Sequence, residues 1–230
     1  MYKRQTDVIL GPDAIAGIGF TSQRTRKRMN KRLRERGIEN DAVLQVMQSV
    51  PRHLFVDEAI STRAYEDMAL PIGEGQTISQ PYAVARMTEL LLQEGPVRRV
   101  LEVGTGSGYQ AAVLSHLVDA VFTVERIKNL LDKARQRFKA LQYHNIHARY
   151  SDGSWGWASQ GPFDGIIVTA APVSVPEPLL EQLAIGGRMI VPVGEQDGDQ
   201  SLTVITRTRS GFTSHEESDV RFVPFLAGKS

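Results

Sequence analysis

Gly104, Gly106 and Gly108 alternate with polar residues in the stretch VLEVGTGSGYQ, residues 100–110. Glycines there remove the Cβ atoms that would keep a ligand away from the backbone. A dinucleotide fingerprint, GxGxxG, needs its third glycine where Tyr109 stands, which weakens a pyrophosphate cradle. Glu102, in the apolar run before the loop, argues the same way, because a carboxylate repels phosphate and attracts a cation. S-Adenosylmethionine carries a sulfonium and an ammonium and no phosphate.

Two further acids follow at the ends of later apolar runs. Glu125 stands where an acid of a doubly wound fold accepts hydrogen bonds from ribose hydroxyls, which suits either cofactor. Asp152, followed by Gly153, is a candidate acceptor for an adenine amino group. The next run ends in VTAAP, residues 168–172, without the Asn/Asp-Pro-Pro-aromatic group common in enzymes that methylate exocyclic or amide nitrogens. Upstream, GQTISQPY (75–82) offers the hydroxyls of Thr77 and Ser79. These could serve chemistry, or Ser79 or Gln80 could cap a helix that starts at Pro81. With no cysteine, disulfides, thiolate metal sites and cysteine nucleophiles are excluded. The histidines at 53, 116, 144, 147 and 215 are read as structural or solvated, and no metal site is expected.

The elements that must position these residues are legible in outline. Residues 22–36 read as a basic helix stopped by Gly37, and 39–50 as a helix capped by Asn40 or Asp41 and ended before Pro51. A short helical turn is expected near 58–65, and an irregular turn-rich piece over 69–80. The helix from Pro81 to about Gln93 carries an apolar stripe at Val84, Met87, Leu90 and Leu91. From residue 98 strands and helices alternate: strands at 99–103, 120–125, 146–150, 163–170 and 187–194, helices at 108–118, 126–141 and near 176–183. That alternation predicts an α/β fold with a doubly wound, mostly parallel sheet, Rossmann-like. SLTVITRTR (201–209) and VRFVPF (220–225) read as two strands without a long intervening helix, hence a mixed sheet edge.

The chain has 230 residues, which suits one sizeable α/β domain. A flexible extension is expected over 1–21, then a single domain over 22–230, with N-terminal helices and a substrate loop to 97 and a cofactor-binding core beyond. No apolar run approaches the ~20 residues that span a bilayer, and the first residues do not read as a signal peptide. A cytoplasmic monomer is expected. Ten of the 27 Lys and Arg residues lie in the first 36 positions, against three of the 26 Asp and Glu. This basic start is read as a solvated helix face, with nucleic acid as the rival partner.

LPIGEGQTISQPYAVARMTELL, VLEVGTGSGYQAAVLSHL, VFTVERI, SDGSWGW, PFDGIIVTAAP and VRFVPF together resemble the protein-L-isoaspartate (D-aspartate) O-methyltransferase family, in its bacterial form, over roughly residues 24–226. The glycine loop alone places the chain among class I methyltransferases, whereas the TISQPY loop and the VRFVP tail point to this family. The resemblance implies S-adenosylmethionine as cofactor and isoaspartyl-containing proteins and peptides as substrates, with repair through a succinimide. It implies Ser79 as the catalytic residue. It assigns Thr77, Ile78, Ser79, Gln80, Glu102, Gly104, Thr105, Gly106, Ser107, Gly108, Glu125, Asp152, Gly153 and Thr169 to the cofactor site. Thr77, Ser79, Val220, Arg221, Val223 and Pro224 are implied to hold substrate. SDG stands where GDG is common. The alternative is a class I methyltransferase acting on RNA or a small molecule.

Overall fold

A computed structural model describes residues 11–195 and 198–230. The described chain opens with α1 (Pro12–Ala16), a 3-10 turn and α2 (Gln23–Glu35). Helical spacing buries Met29 and Leu33 of α2, and with them Arg26. Arg26 donates to the carbonyls of Ile15, Ala16 and Ser49, and His53 Nε2 lies 3.0 Å from the carbonyl of Ala14. Within the extension expected over 1–21, the carbonyls of residues 14–16 thus meet His53 and the buried Arg26. Residues 1–10 of that extension lie outside the described residues.

Several charges at the C-terminal end of α2 are drawn into the protein's own structure. Arg32 donates to the Tyr65 carbonyl at 2.6 Å, Arg34 pairs with Asp41, Arg36 with Asp67 and Lys31 with Glu35. A nucleic-acid face loses those groups. α3 (Asp41–Ser49) follows, capped as expected: the Asn40 side chain accepts from the N–H groups of Ala42 and Val43.

The piece expected to be irregular is a small hairpin, β1 (Leu70–Gly73) and β2 (Gln76–Ile78), antiparallel with Leu70 opposite Ile78. Its turn residues Glu74 and Gly75 both have positive φ, 56° and 68°, which suits the twist of a tight hairpin. Strand alternation sends Ile78 into the core and leaves Thr77 and Ser79 on the other side. α4 (Pro81–Leu92) begins at the proline and buries the stripe Val84, Met87, Leu90 and Leu91.

The remaining elements are β3 (Arg99–Val103), α5 (Tyr109–Ser115), β4 (Ala120–Glu125), α6 (Lys128–Ala140), β5 (Ile146–Tyr150), β6 (Phe163–Val168), α7 (Glu177–Glu181), β7 (Leu183–Gly194), β8 (Gln200–Thr208) and β9 (Gly211–Val220). They build a seven-stranded sheet in the order β5-β4-β3-β6-β7-β8-β9. Its pairs are parallel from β5 to β7 and antiparallel beyond. The sheet is doubly wound: the order reverses between β3 and β6, and in such folds ligands bind there, beyond the carboxyl ends of the strands. Both faces of β3 and β6 are covered. Val100 and Ile167 belong to one apolar cluster, Leu101, Val103, Ile166 and Val168 to another. A third cluster joins the N-terminal helices to α4 and α5, from Met29 and Leu44 to Val84 and Val113.

At the mixed edge the strand expected at 220–225 is displaced. The partner of β8 is β9, which ends at Val220. β9 is polar on both faces because it is an exposed edge, so no apolar alternation marks it. Residues 221–226 instead cross the end of β6. Ala171 donates to the carbonyl of Val223 at 2.8 Å, and Phe225 donates to the carbonyl of Ala171 at 2.9 Å.

Candidate active site

A cleft of about 840 Å³, partly open to solvent, lies beyond the ends of β3, β4 and β6. Thr77, Ile78 and Ser79 line one side of it. Glu102, Gly104, Thr105, Gly106 and Ser107 line another, with Glu125, Gly153 and Thr169 around them. Val223 and Pro224 line it from the tail. Gln80, Gly108, Asp152, Val220 and Arg221 are not among the lining residues. Several lining residues were not singled out in the sequence, among them Gln76, Gln110, Arg126, Leu130 and Phe225. For Arg126 the neighbouring Glu125 was a signal; the others carry no local mark.

The glycine loop is fixed from both sides. At Gly104, φ is +101° and a Cβ would collide with the Thr169 hydroxyl. That hydroxyl sits 2.7 Å from the Gly104 carbonyl oxygen and donates into the loop. Gly108 answers a packing need instead of lining the cleft. Its φ is +90°, and a Cβ would stand 2.7 Å from the Phe138 ring of α6. The third glycine thus permits close approach of α6, not of a ligand.

Glu102 is fully buried. The Thr123 hydroxyl donates to its Oε2 at 2.5 Å, and Thr105 Oγ1 is 2.6 Å from Thr123 Oγ1. No side chain bonds its Oε1. Burial pushes the carboxyl up to about 8; the Thr123 hydroxyl and the Ala111 N–H oppose this, and the Glu125 charge adds to it. A buried carboxyl oxygen that no side chain bonds, in a residue lining the cleft, is suited to accept from a cation or an ammonium donor. The residues present therefore fit S-adenosylmethionine.

Glu125 is held by backbone N–H groups. Gly106 donates to Oε2 at 2.8 Å and Ile127 to Oε1 at 2.9 Å. Each carboxylate oxygen keeps further lone-pair capacity for a ligand hydroxyl. Asp152, expected as an adenine contact, accepts hydrogen bonds from within the chain. Its Oδ1 accepts from the Ser154 N–H and hydroxyl, and its Oδ2 from the Gly228 N–H at 2.6 Å. Burial would raise its carboxyl, but the hydrogen bonds from Ser154 and Gly228 outweigh that and hold it below the usual range. Asp152 thereby ties the tail to the loop after β5. Arg126 adds to the tie: its Nε donates to the Gly228 carbonyl at 3.0 Å, and its own carbonyl accepts from the Ser230 N–H at 2.8 Å.

On the side of the cleft that Thr77, Ile78 and Ser79 line, the start of α4 is capped from elsewhere. The N-cap of α4 is Gln80, whose side chain makes no capping bond. The orphan N–H of Tyr82 is instead taken by the Asp67 carboxylate at 3.0 Å. Neither Ser79 nor Gln80 is needed as the cap that the sequence alone allowed. The Ser79 carbonyl is anchored by Arg52 Nη2 at 2.7 Å, while the residue lines the cleft.

A sequence profile of the protein-L-isoaspartate(D-aspartate) O-methyltransferase family matches residues 24–230. The chain belongs to that family. A protein-L-isoaspartate O-methyltransferase 1 of Marinobacter nauticus is 58% identical over 214 residues, covering 93% of this chain and 97% of its own. A protein-L-isoaspartate O-methyltransferase of Hahella chejuensis is 58% identical over 209 residues, covering 91% and 99%. A solved protein-L-isoaspartate O-methyltransferase matches with a TM-score of 0.78 at 28% identity; the match covers 86% of this chain and 65% of that one. A Plasmodium falciparum structure, described as an isoaspartate O-methyltransferase in complex with S-adenosyl-L-homocysteine, matches with a TM-score of 0.74 at 27% identity, covering 87% and 98%. The fold is that of a class I S-adenosylmethionine-dependent methyltransferase. None of the histidines lines the cleft, and no group of three or more potential ligand side chains suited to a metal occurs among the described residues.

Proposed function

We propose that this chain transfers a methyl group from S-adenosylmethionine to the free carboxylate of L-isoaspartyl and D-aspartyl residues in damaged proteins and peptides. One observation carries the reading: the TISQ loop and the tail after β9, remote in sequence, border the cleft that holds the acid-flanked glycine loop. When bound, S-adenosylmethionine supplies an electrophilic methyl on a good leaving group. Glu102 would hold its cationic amino-acid end, Glu125 its ribose hydroxyls, and Gly104–Ser107 would allow its close backbone approach. Asp152 acts on this site by holding the tail in place.

The acceptor needs no base, since a carboxyl of ordinary pKa ~3.9 is already ionised at neutral pH. What the protein must provide is alignment within about 3–3.5 Å and exclusion of water. The Ser79 hydroxyl donates to one carboxylate oxygen and turns the other toward the methyl. Selectivity comes from geometry. Isoaspartate routes the backbone through its side-chain carbon, so its free carboxylate sits differently from that of aspartate relative to the chain. Thr77 and Ser79 on one side and Val223 and Pro224 on the other grip that backbone. The methyl ester is a better leaving group than the carboxylate, so the next backbone nitrogen closes a succinimide and methanol departs. Hydrolysis of the ring returns part of the material to normal aspartate. A cytoplasmic monomer completes the proposal, to be checked by light scattering and cell fractionation.

Labelled S-adenosylmethionine and paired peptides differing only in aspartate or isoaspartate test the reading. Base-labile label on the isoaspartyl peptide alone is expected. Label on neither, with S-adenosylhomocysteine still bound, would overturn it in favour of RNA or small-molecule acceptors. Ser79→Ala should lower kcat with cofactor affinity nearly unchanged; an unaltered kcat removes Ser79 from its role.

A further inference from the structure

Arg52 is fully buried in a part of the molecule that the chemistry above does not use. Its Nε donates to the Ala64 carbonyl at 2.7 Å and its Nη2 to the Ser79 carbonyl at 2.7 Å. Its guanidinium carbon lies 4.8 Å from the centroid of the Tyr109 ring. Tyr109 is the first residue of α5, directly after the glycine loop, and lines the cleft. One rigid side chain therefore touches both halves of the site: the residue that meets the acceptor carboxylate and the helix that carries the cofactor loop.

No carbonyl or carboxylate bonds the third nitrogen, Nη1. The buried charge is compensated only in part, by two carbonyls and by Tyr109, and burying a cation in that way is costly. Burial pushes Arg52 down to about 10, which still leaves it charged at neutral pH. A planar fork can hold carbonyls from separate segments in a fixed relation, whereas an ammonium on a flexible stem can satisfy one at a time.

We propose that Arg52 is a positioning residue that sets the distance and angle between the acceptor loop at Ser79 and the glycine loop, and that its charge favours an anionic acceptor there. The inference rests on the reading of Ser79 as the acceptor-side residue. Methyl transfer depends on in-line alignment, and a misplacement of about 1 Å costs on the order of 100-fold in rate.

The experiment measures kcat, KM for an isoaspartyl peptide, and S-adenosylhomocysteine affinity by calorimetry in Arg52→Lys, Arg52→Met, Ser79→Ala and the Arg52→Lys/Ser79→Ala pair. Arg52→Lys keeps the charge and loses the fork, so kcat should fall about 30- to 100-fold while KM and cofactor affinity stay within about threefold. Arg52→Met loses both, so KM should rise as well, by about tenfold. In the pair, the Lys substitution should add little to the loss from Ser79→Ala, because Arg52, through the Ser79 carbonyl, places the hydroxyl that Ser79→Ala removes. An unchanged kcat in Arg52→Lys, a loss of cofactor affinity that matches the loss of kcat, or, where Ser79→Ala itself lowers kcat, losses that multiply in the pair would each overturn the proposal. Should Arg52→Met not fold, Arg52→Lys decides alone. Failure of the Ser79 reading is distinguishable: kcat then stays intact in Ser79→Ala, and a kcat-only loss in Arg52→Lys still supports Arg52 as a brace between the loops.

Discussion

Replacing Glu102 with glutamine asks whether the buried, half-satisfied carboxyl is held in reserve for the cofactor. In the ligand-free protein burial keeps Glu102 protonated up to about pH 8, and no side chain bonds its Oε1. A bound ammonium would favour the ionised form, so binding should drive off a proton. At pH 7 only about a tenth of the molecules carry the carboxylate, which corresponds to about 1.4 kcal/mol and roughly a tenfold weaker apparent affinity than at pH 9. At pH 6 the deficit grows to about 100-fold. Glutamine cannot ionise. Glu102→Gln should therefore lose the pH dependence that Glu102 contributes and weaken S-adenosylhomocysteine binding at pH 8.5 by about 1.5–3 kcal/mol, the worth of a charge-assisted hydrogen bond. Calorimetry in buffers of different ionisation enthalpy reads the proton release directly, about 0.9 per site at pH 7. The same group sets a stability trend. Its folded pKa is raised, so the native state binds the extra proton between the ordinary carboxylate range and pH 8, and stability of the ligand-free protein falls as pH rises through that window. Glu102→Gln should flatten this slope and melt higher than the parent at pH 8.5. No proton release, together with an unchanged affinity in Glu102→Gln, would refute the argument.

Further outcomes follow from the same geometry. Glu125→Ala should weaken cofactor binding about 10- to 100-fold, since it removes the ribose acceptor and frees the Gly106 and Ile127 N–H groups; equal affinity in calorimetry would remove the ribose role. Gly108→Ala forces a side chain into a left-handed position against Phe138, at about 3 kcal/mol, so thermal unfolding should fall by about 6–12 °C; an unshifted melting curve would contradict the packing reading. Asp152→Ala removes the tether from the loop after β5 to Gly228, so S-adenosylhomocysteine should dissociate several-fold faster in stopped flow while kcat changes little. An unchanged off-rate would mean that the tail is not held by this bond.

Local chemistry wrote much of this protein plainly. An apolar strand running into alternate glycines, acids after successive strands, a proline opening α4 and its 3.6-residue stripe all act over a few residues, so periodicity and turn chemistry alone determined the α/β class and the doubly wound sheet, while the acid beside the glycine loop argued against a pyrophosphate. The GQTISQPY and VRFVP stretches carried the family. Other features depended on partners far away in the chain. Ser79 is released from capping only because Asp67 arrives to take the Tyr82 N–H. Asp152 became a tether only because the tail returns to it, and β9 could not be read because an exposed edge has no buried face to impose alternation. Glu102 is a strand acid in sequence; only the packing that excludes water around it makes it a proton reservoir. Arg52 looked like one basic residue among many until folding placed the Ser79 and Ala64 carbonyls at its fork. Hydrogen bonding between remote segments, and the desolvation that packing brings, are properties of the assembled chain, which no stretch of sequence carries by itself.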